Sequence, residues 1–165
     1  MGLPRLYKNE FIHPVDMVEN IAINRGWLFD RSTYSEIAIN ISTENTNYEL
    51  TFVWLEEQEI LHVVCAFDNH TPSIRQPAMQ SLLLQINSRM IMGHFDYWSD
   101  THIIVFRQAL TLAGNVRPSA SQIDTLLKAV EICESHYQAF RLVSIVGLSA
   151  EAALKCCLFE TKGSA

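Results

Sequence analysis

Ile60-Leu61-His62-Val63-Val64-Cys65-Ala66-Phe67 is the stretch on which the fold turns. Successive side chains of a strand point to opposite faces, so Leu61, Val63, Cys65 and Phe67 form one apolar face. Ile60, Val64 and Ala66, interrupted by His62, make the other face nearly as apolar. A strand with one solvated face alternates apolar with polar residues; this one does not, and it calls for strand neighbours and cover on both faces.

Moving upstream, the period stays at two. Ile37, Ile39 and Ile41 alternate with Ala38 and Asn40, and Tyr48, Leu50, Phe52 and Trp54 alternate with Glu49 and Thr51. Thr43 to Asn47 supply a hairpin turn, Glu56-Glu57-Gln58 a second turn, and Trp27 to Ser32 reads as a preceding strand. Before it, Pro14 opens a short helix with Asp16 and Glu19 in its first turns, where the helix dipole favours carboxylates. Val15, Val18 and Ala22 share one face of that helix, and Gly26 ends it. Residues 1–12 show no periodicity and read as a flexible arm.

Downstream, Pro72 and Pro77 introduce a helix whose Met79, Leu82, Leu83, Ile86 and Met90 recur at helical spacing, with Gly93 as its stop. His94 to Trp98, a turn at Ser99-Asp100 and Thr101 to Thr111 form a second hairpin, in which Ile103 to Phe106 is again apolar on both faces. Gly114 and Pro118 break the chain before a long helix that opens with a capping box, Ser119 and Gln122. Its stripe is Ile123, Leu126, Leu127, Val130, Cys133 and Tyr137. The chain breaks again around Gly147 and Ser149, and a shorter final helix runs from Ala150 to Phe159. The expected fold is α+β, an antiparallel β-meander with helices packed on it in the order α-β-β-β-β-α-β-β-α-α. Its boundaries are a single domain over residues 13–160 and a tail over 161–165.

Composition narrows the function. The 165 residues suit one core, since roughly 100–200 residues build a single domain. Apolar residues make up 48% and charged residues 18%, less charge than the roughly 25% of an average domain. A net charge of −6 has the wrong sign for neutralising phosphates, so nucleic acid is not the expected partner. The four cysteines form no C-x-x-C pair and read as free thiols acting as small hydrophobes. The start has no apolar leader, and no run approaches the roughly 18 apolar residues of a membrane span; a cytoplasmic protein without a membrane partner is expected.

The six histidines lack metal-site spacing and the glycines are too scattered for a phosphate-cradling loop, so neither metal nor cofactor is expected. One polar group has catalytic composition. His94 and Asp96 share a strand face near Ser99, Asp100 and His102, a base beside a carboxylate and a hydroxyl. A hairpin turn requires Ser99-Asp100 in any case, and no nucleophile elbow accompanies the group. Asp68-Asn69-His70 follows a strand, where Asp and Asn bond to nearby backbone.

The doubly apolar strands are the more informative feature. Their surplus face is covered by a second helical layer, by a partner protein or second copy, or simply by an ordinary core. The candidate interface residues are Val53, Ile60, His62, Val64, Ile103, Val105 and Trp98.

Stretches through most of the chain carry a family resemblance. They are Pro14-Val15-Asp16-Met17-Val18-Glu19, Trp27 with Phe29-Asp30-Arg31, and Leu61-His62 with Cys65-Ala66-Phe67-Asp68. Further along come Ile86-Asn87, Ala109-Leu110, Tyr137-Gln138-Ala139-Phe140 and Glu160-Thr161. Most specific is Gly93-His94-Phe95-Asp96-Tyr97-Trp98-Ser99 followed by Phe106-Arg107. With these residues the chain resembles the YbjN family in its alphaproteobacterial form, described as bacterial sensory transduction regulators. It departs at Thr43 to Asn47, Gln58 and Asn69, all loop positions. The resemblance implies a fold similar to type III secretion chaperones, often dimeric, and no catalytic residues. The resulting expectation is a non-enzymatic regulatory or chaperone-like protein that binds a protein partner through an apolar groove as a homodimer. The alternative is a small-ligand binder or hydrolase-like enzyme using His94, Asp96, Asp100 and His102.

Overall fold

The computed structural model describes residues 12–114 and 116–162, with side chains to residue 158. The proposed arm over residues 1–12 therefore lies, but for its last residue, outside the described residues, as do residues 163–165 of the tail.

A first helix, α1 (Pro14–Arg25), leads into four antiparallel strands, β1 (Leu28–Thr33), β2 (Glu36–Ser42), β3 (Asn47–Leu55) and β4 (Ile60–Phe67). After α2 (Gln76–Asn87) come β5 (His94–Trp98) and β6 (Ile103–Thr111), then α3 (Ala120–Leu127), α4 (Ala129–Arg141) and α5 (Ala150–Lys162). The six strands form one sheet in the order β1-β2-β3-β4-β6-β5, antiparallel throughout. The chain is thus α+β, as its periodicities require, and β4 lies inside the sheet with β3 and β6 on either side.

Register makes the two faces explicit. One row runs Phe29, Ile39, Leu50, Cys65, Phe106, Phe95 across all six strands, and the adjacent row on the other face runs Asp30, Ala38, Thr51, Val64, Arg107, His94. Every strand side chain of the core cluster belongs to the first face, and all five described helices send buried apolar residues into that same cluster. Tyr48, Leu50, Phe52, Leu61, Ile104 and Phe106 are sealed there against Val15, Val18, Met79, Leu82, Ile123 and Phe140. The helices therefore form one layer, on what we call the inner face.

Local chemistry fixes the ends of the elements. His13 Nδ1 accepts the Val15 N–H at 3.3 Å to cap α1, and Gly26 closes the helix with φ 67°, a left-handed geometry that glycine adopts freely. Ser119 and Gln122 form the reciprocal capping box at α3. Cys65 and Cys133 meet in the core as free thiols, Sγ to Sγ 3.7 Å, and burial pushes the Cys133 thiol far up, which keeps it an inert apolar group.

Three boundaries differ from the sequence expectation. α2 stops at Asn87, well before Gly93, because the Asn87 side chain leaves the helix to hold β5: Nδ2 donates to Phe95 O and Oδ1 accepts the Phe95 N–H, both at 2.8 Å. The long helix is two. Lys128 relaxes to ψ −5°, and the bend lets α3 lie on β6 and α1 while α4 crosses β6 and β4. After α4 a wide turn at Leu142–Val146 reaches Gly147, and α5 is as long as α4, running through Lys162 into the stretch expected to be a tail.

Candidate functional site

The outer face holds all seven candidate interface residues. Val53 opposes His62, Thr51 opposes Val64, Leu55 opposes Ile60, and Trp98 opposes Ile103. No described helix lies over them. Val53, Ile60, His62, Val64 and Ile103 are half-buried among their cross-strand neighbours, and Trp98 at the rim is 40% exposed. Val105 is different. It lies between Ala66 and Asp96 and is 0% exposed, so the chain itself seals that one position.

The four residues of the polar group do not form one cluster. His94 and Asp96 lie on the outer face of β5, as their spacing dictates. Asp100 is exposed in the turn. His102, with φ 57°, turns to the other side: its Nδ1 is 2.9 Å from the Tyr97 hydroxyl, its ring is 5.9 Å from that of His70, and its carbonyl accepts the Thr71 N–H. Tyr97 opposes Ile104 and so belongs to the inner face. Asp96 is engaged as well, Oδ1 accepting the Tyr97 N–H at 2.9 Å and Oδ2 pairing with Arg107 Nη1 at 3.2 Å. Asn69 acts as its residue type suggests, joining β4 to β6 through Phe67 O, Ile104 O and the Ile104 N–H.

What the sequence reading left apart, the strand order joins. His62 from the apolar strand and His94 from the polar group flank Arg107, which directly opposes His94 and lies one strand over and two residues along from His62. Together with Met92, Gly93 and Ala109 they line a shallow hollow of about 240 Å³. Gly93 shapes it. With φ 71° its backbone passes so near the Phe106 ring that a Cβ would overlap it and crowd the Arg107 carbonyl. Burial, reinforced by the charges of Arg107 and His94, holds the His62 imidazole below its ordinary value of 6.5. Arg107 was the residue missed as part of a site. Its odd-numbered position puts it opposite His94, but a strand apolar on both faces conceals which parity is outward.

A sequence profile described as "Putative bacterial sensory transduction regulator", that of YbjN, matches residues 14–142. The chain belongs to the YbjN family. A solved structure, "Crystal structure of YbjN, a putative transcription regulator from E. coli", is similar over 74% of this chain and 93% of that one. Its TM-score is 0.50 at 10% sequence identity, a likeness of fold alone. Comparison with curated proteins gives no match. The YbjN match spans α1 through α4, so both sheet faces and the hollow fall within it. Among the described residues no helix is long and apolar enough to cross a membrane.

Proposed function

We propose that this YbjN-family chain is a non-enzymatic regulatory or chaperone-like protein of the cytoplasm, which pairs with a second copy, and receives a polypeptide partner, through the outer face of its sheet. The observation that carries this reading is the apolar strip of Val53, Ile60, Val64 and Ile103, with Trp98 at its rim, on a sheet face that no described helix covers. Apolar side chains gathered on an uncovered face are what protein interfaces use at their centre.

Occupied positions on both edge strands favour a face over strand addition. At the β5 edge the Phe95 N–H and C=O are both occupied by Asn87. At the β1 edge Arg31 ties the strand down, donating to Thr33 O and Tyr34 O and pairing with Asp16 at 3.0 Å and with Glu19. A two-fold contact would set the strip against its own copy, and a persistent dimer would bury on the order of 1,600 Å² in total. The likeness to type III secretion chaperones implied by the resemblance agrees with two-fold pairing, and is an analogy of fold.

Sedimentation equilibrium tests it. Wild type should sediment as a dimer at tens of micromolar, and Val64→Arg should weaken pairing by about tenfold or more, a buried unpaired charge being costly. Leu84→Arg, at an exposed position on α2 in the helical layer, should leave pairing unchanged. A monomer at every concentration, or equal effects of the two variants, would overturn the reading.

A further inference from the structure

The outer face has a charged floor beside its apolar strip. Arg107 is its centre, with His94 directly across on β5, His62 diagonal to it on β4, and Asp96 two residues from His94 on the same strand face. The guanidinium is under-used. Its Nη1 reaches Asp96 at 3.2 Å, and Nε is buried with no acceptor among the described residues. Asp96 does not match the fork: Oδ1 is turned to the Tyr97 N–H and Oδ2 alone faces Arg107, so the two planes make one bond where a paired fork makes two.

We infer that the hollow lined by His62, His94 and Arg107 is a binding site for an oxyanion, a carboxylate or a sulfate- or phosphate-like group. The site has the chemistry such a ligand requires. Arginine is a permanent cation with planar donors, and the two imidazoles add N–H donors from either side. Met92, Gly93 and Ala109 provide an apolar rim beside these donors. The Arg107 cation is met by a single carboxylate oxygen. His62 is pushed toward its neutral form by burial, by Arg107 and by His94, so an arriving negative charge relieves a repulsion already present. The other charged groups nearby are Asp96 on β5 and Glu36, which opposes Val53 in the row that contains His62. Asp96 is held by its two bonds, and Glu36 is separated from His62 by strand β3.

The site lies on the same face as the proposed interface and deepens that reading, since an acidic side chain of a docked segment is one source of the oxyanion and a free small anion is the other. It does not require the dimer. Proton NMR of the histidine rings in the full chain, titrated with sulfate, separates the possibilities, because sulfate stays fully ionised across the range. The expected result is a saturable shift of the His62 and His94 resonances, with the His62 titration moving to higher pH. Arg107→Gln should weaken sulfate by about tenfold or more, and Arg107→Lys, which keeps the charge and loses the fork, should fall between. In Arg107→Gln without sulfate, the His62 titration should already lie higher than in wild type. This readout is independent of binding and shows that the variant retains its fold. A short extended peptide bearing glutamate, compared with its glutamine counterpart, identifies the source. Glutamate-specific binding that depends on Arg107 assigns the ligand to a polypeptide. Sulfate binding that the glutamate peptide does not displace assigns it to a free oxyanion. Shifts no larger than those from chloride at matched ionic strength, or shifts unchanged in Arg107→Gln, would overturn the site. Sedimentation of the same samples keeps the two proposals apart: a monomer that still responds to sulfate removes the dimer and leaves the anion site.

Discussion

The two faces of this sheet are made by the same strands, one residue apart, and they have opposite fates. On the inner face the row Ile39, Leu50, Cys65, Phe106 is sealed beneath the helices; on the outer face the adjacent row Ala38, Thr51, Val64, Arg107 is half-buried with no described helix above it. β4 contributes nearly equal apolar character to both. Hydrophobicity of a strand therefore says that it is central, and leaves open what covers it. Cover is decided by where the helices go, and all five described helices go to the side where Phe52, Phe106 and Phe95 offer large apolar area to bury.

Breaking the inner face should have the largest effect. Phe106→Ala removes a fully buried ring in contact range of Phe95, with centroids 5.3 Å apart, and should cost about 3–5 kcal/mol in urea unfolding. Gly93→Ala strikes the entry to β5. It imposes a left-handed φ on a residue with a Cβ and drives that Cβ into the Phe106 ring, for a loss of about 1–3 kcal/mol. His13→Ala removes the α1 cap and should cost about 0.5–2 kcal/mol, whereas His13→Asn, which can still accept the Val15 N–H, should lose less.

The histidines also sharpen the comparison through pH. Burial, the largest influence, lowers the His13 and His62 imidazoles below the ordinary 6.5. Between that value and the folded one the unfolded chain binds more protons, so stability is fully present above about pH 6.5 and declines as the pH falls below it. The fall from pH 7.5 to 5.5, measured by urea midpoints, should be smaller in His13→Asn and in His62→Gln than in wild type; equal falls in all three would contradict the assignment. The smallest effect belongs to the outer face of the isolated chain. Val64→Thr should change monomer stability by about 0.5 kcal/mol or less while weakening association.

Much of this was legible in the sequence because the strands differ in period from the helices and because caps are local. Gly26, the Ser119–Gln122 box and the turn after Ser42 depend on residues a few positions apart, and they stand where the sequence indicates. Asn87 ending α2 early was not legible, since its partner Phe95 is reached only once β5 docks beside the helix. The bend at Lys128 has no glycine or proline to announce it and follows from the two halves resting on different strands. The hollow was half visible. His62 and His94 carried their own signals, but their meeting at Arg107 depends on β6 inserting between β4 and β5, a long-range fact that no local pattern encodes.

The central claim, an outer face open in the monomer and covered by a second copy, is tested most directly by methyl NMR with a soluble paramagnetic probe at rising protein concentration. Val63 should be protected throughout, while Val64, Val53 and Ile103 should be broadened in dilute solution and become protected as the chain concentrates. Equal protection of Val63 and Val64 in dilute solution, or an outer face that stays broadened at every concentration, would contradict it.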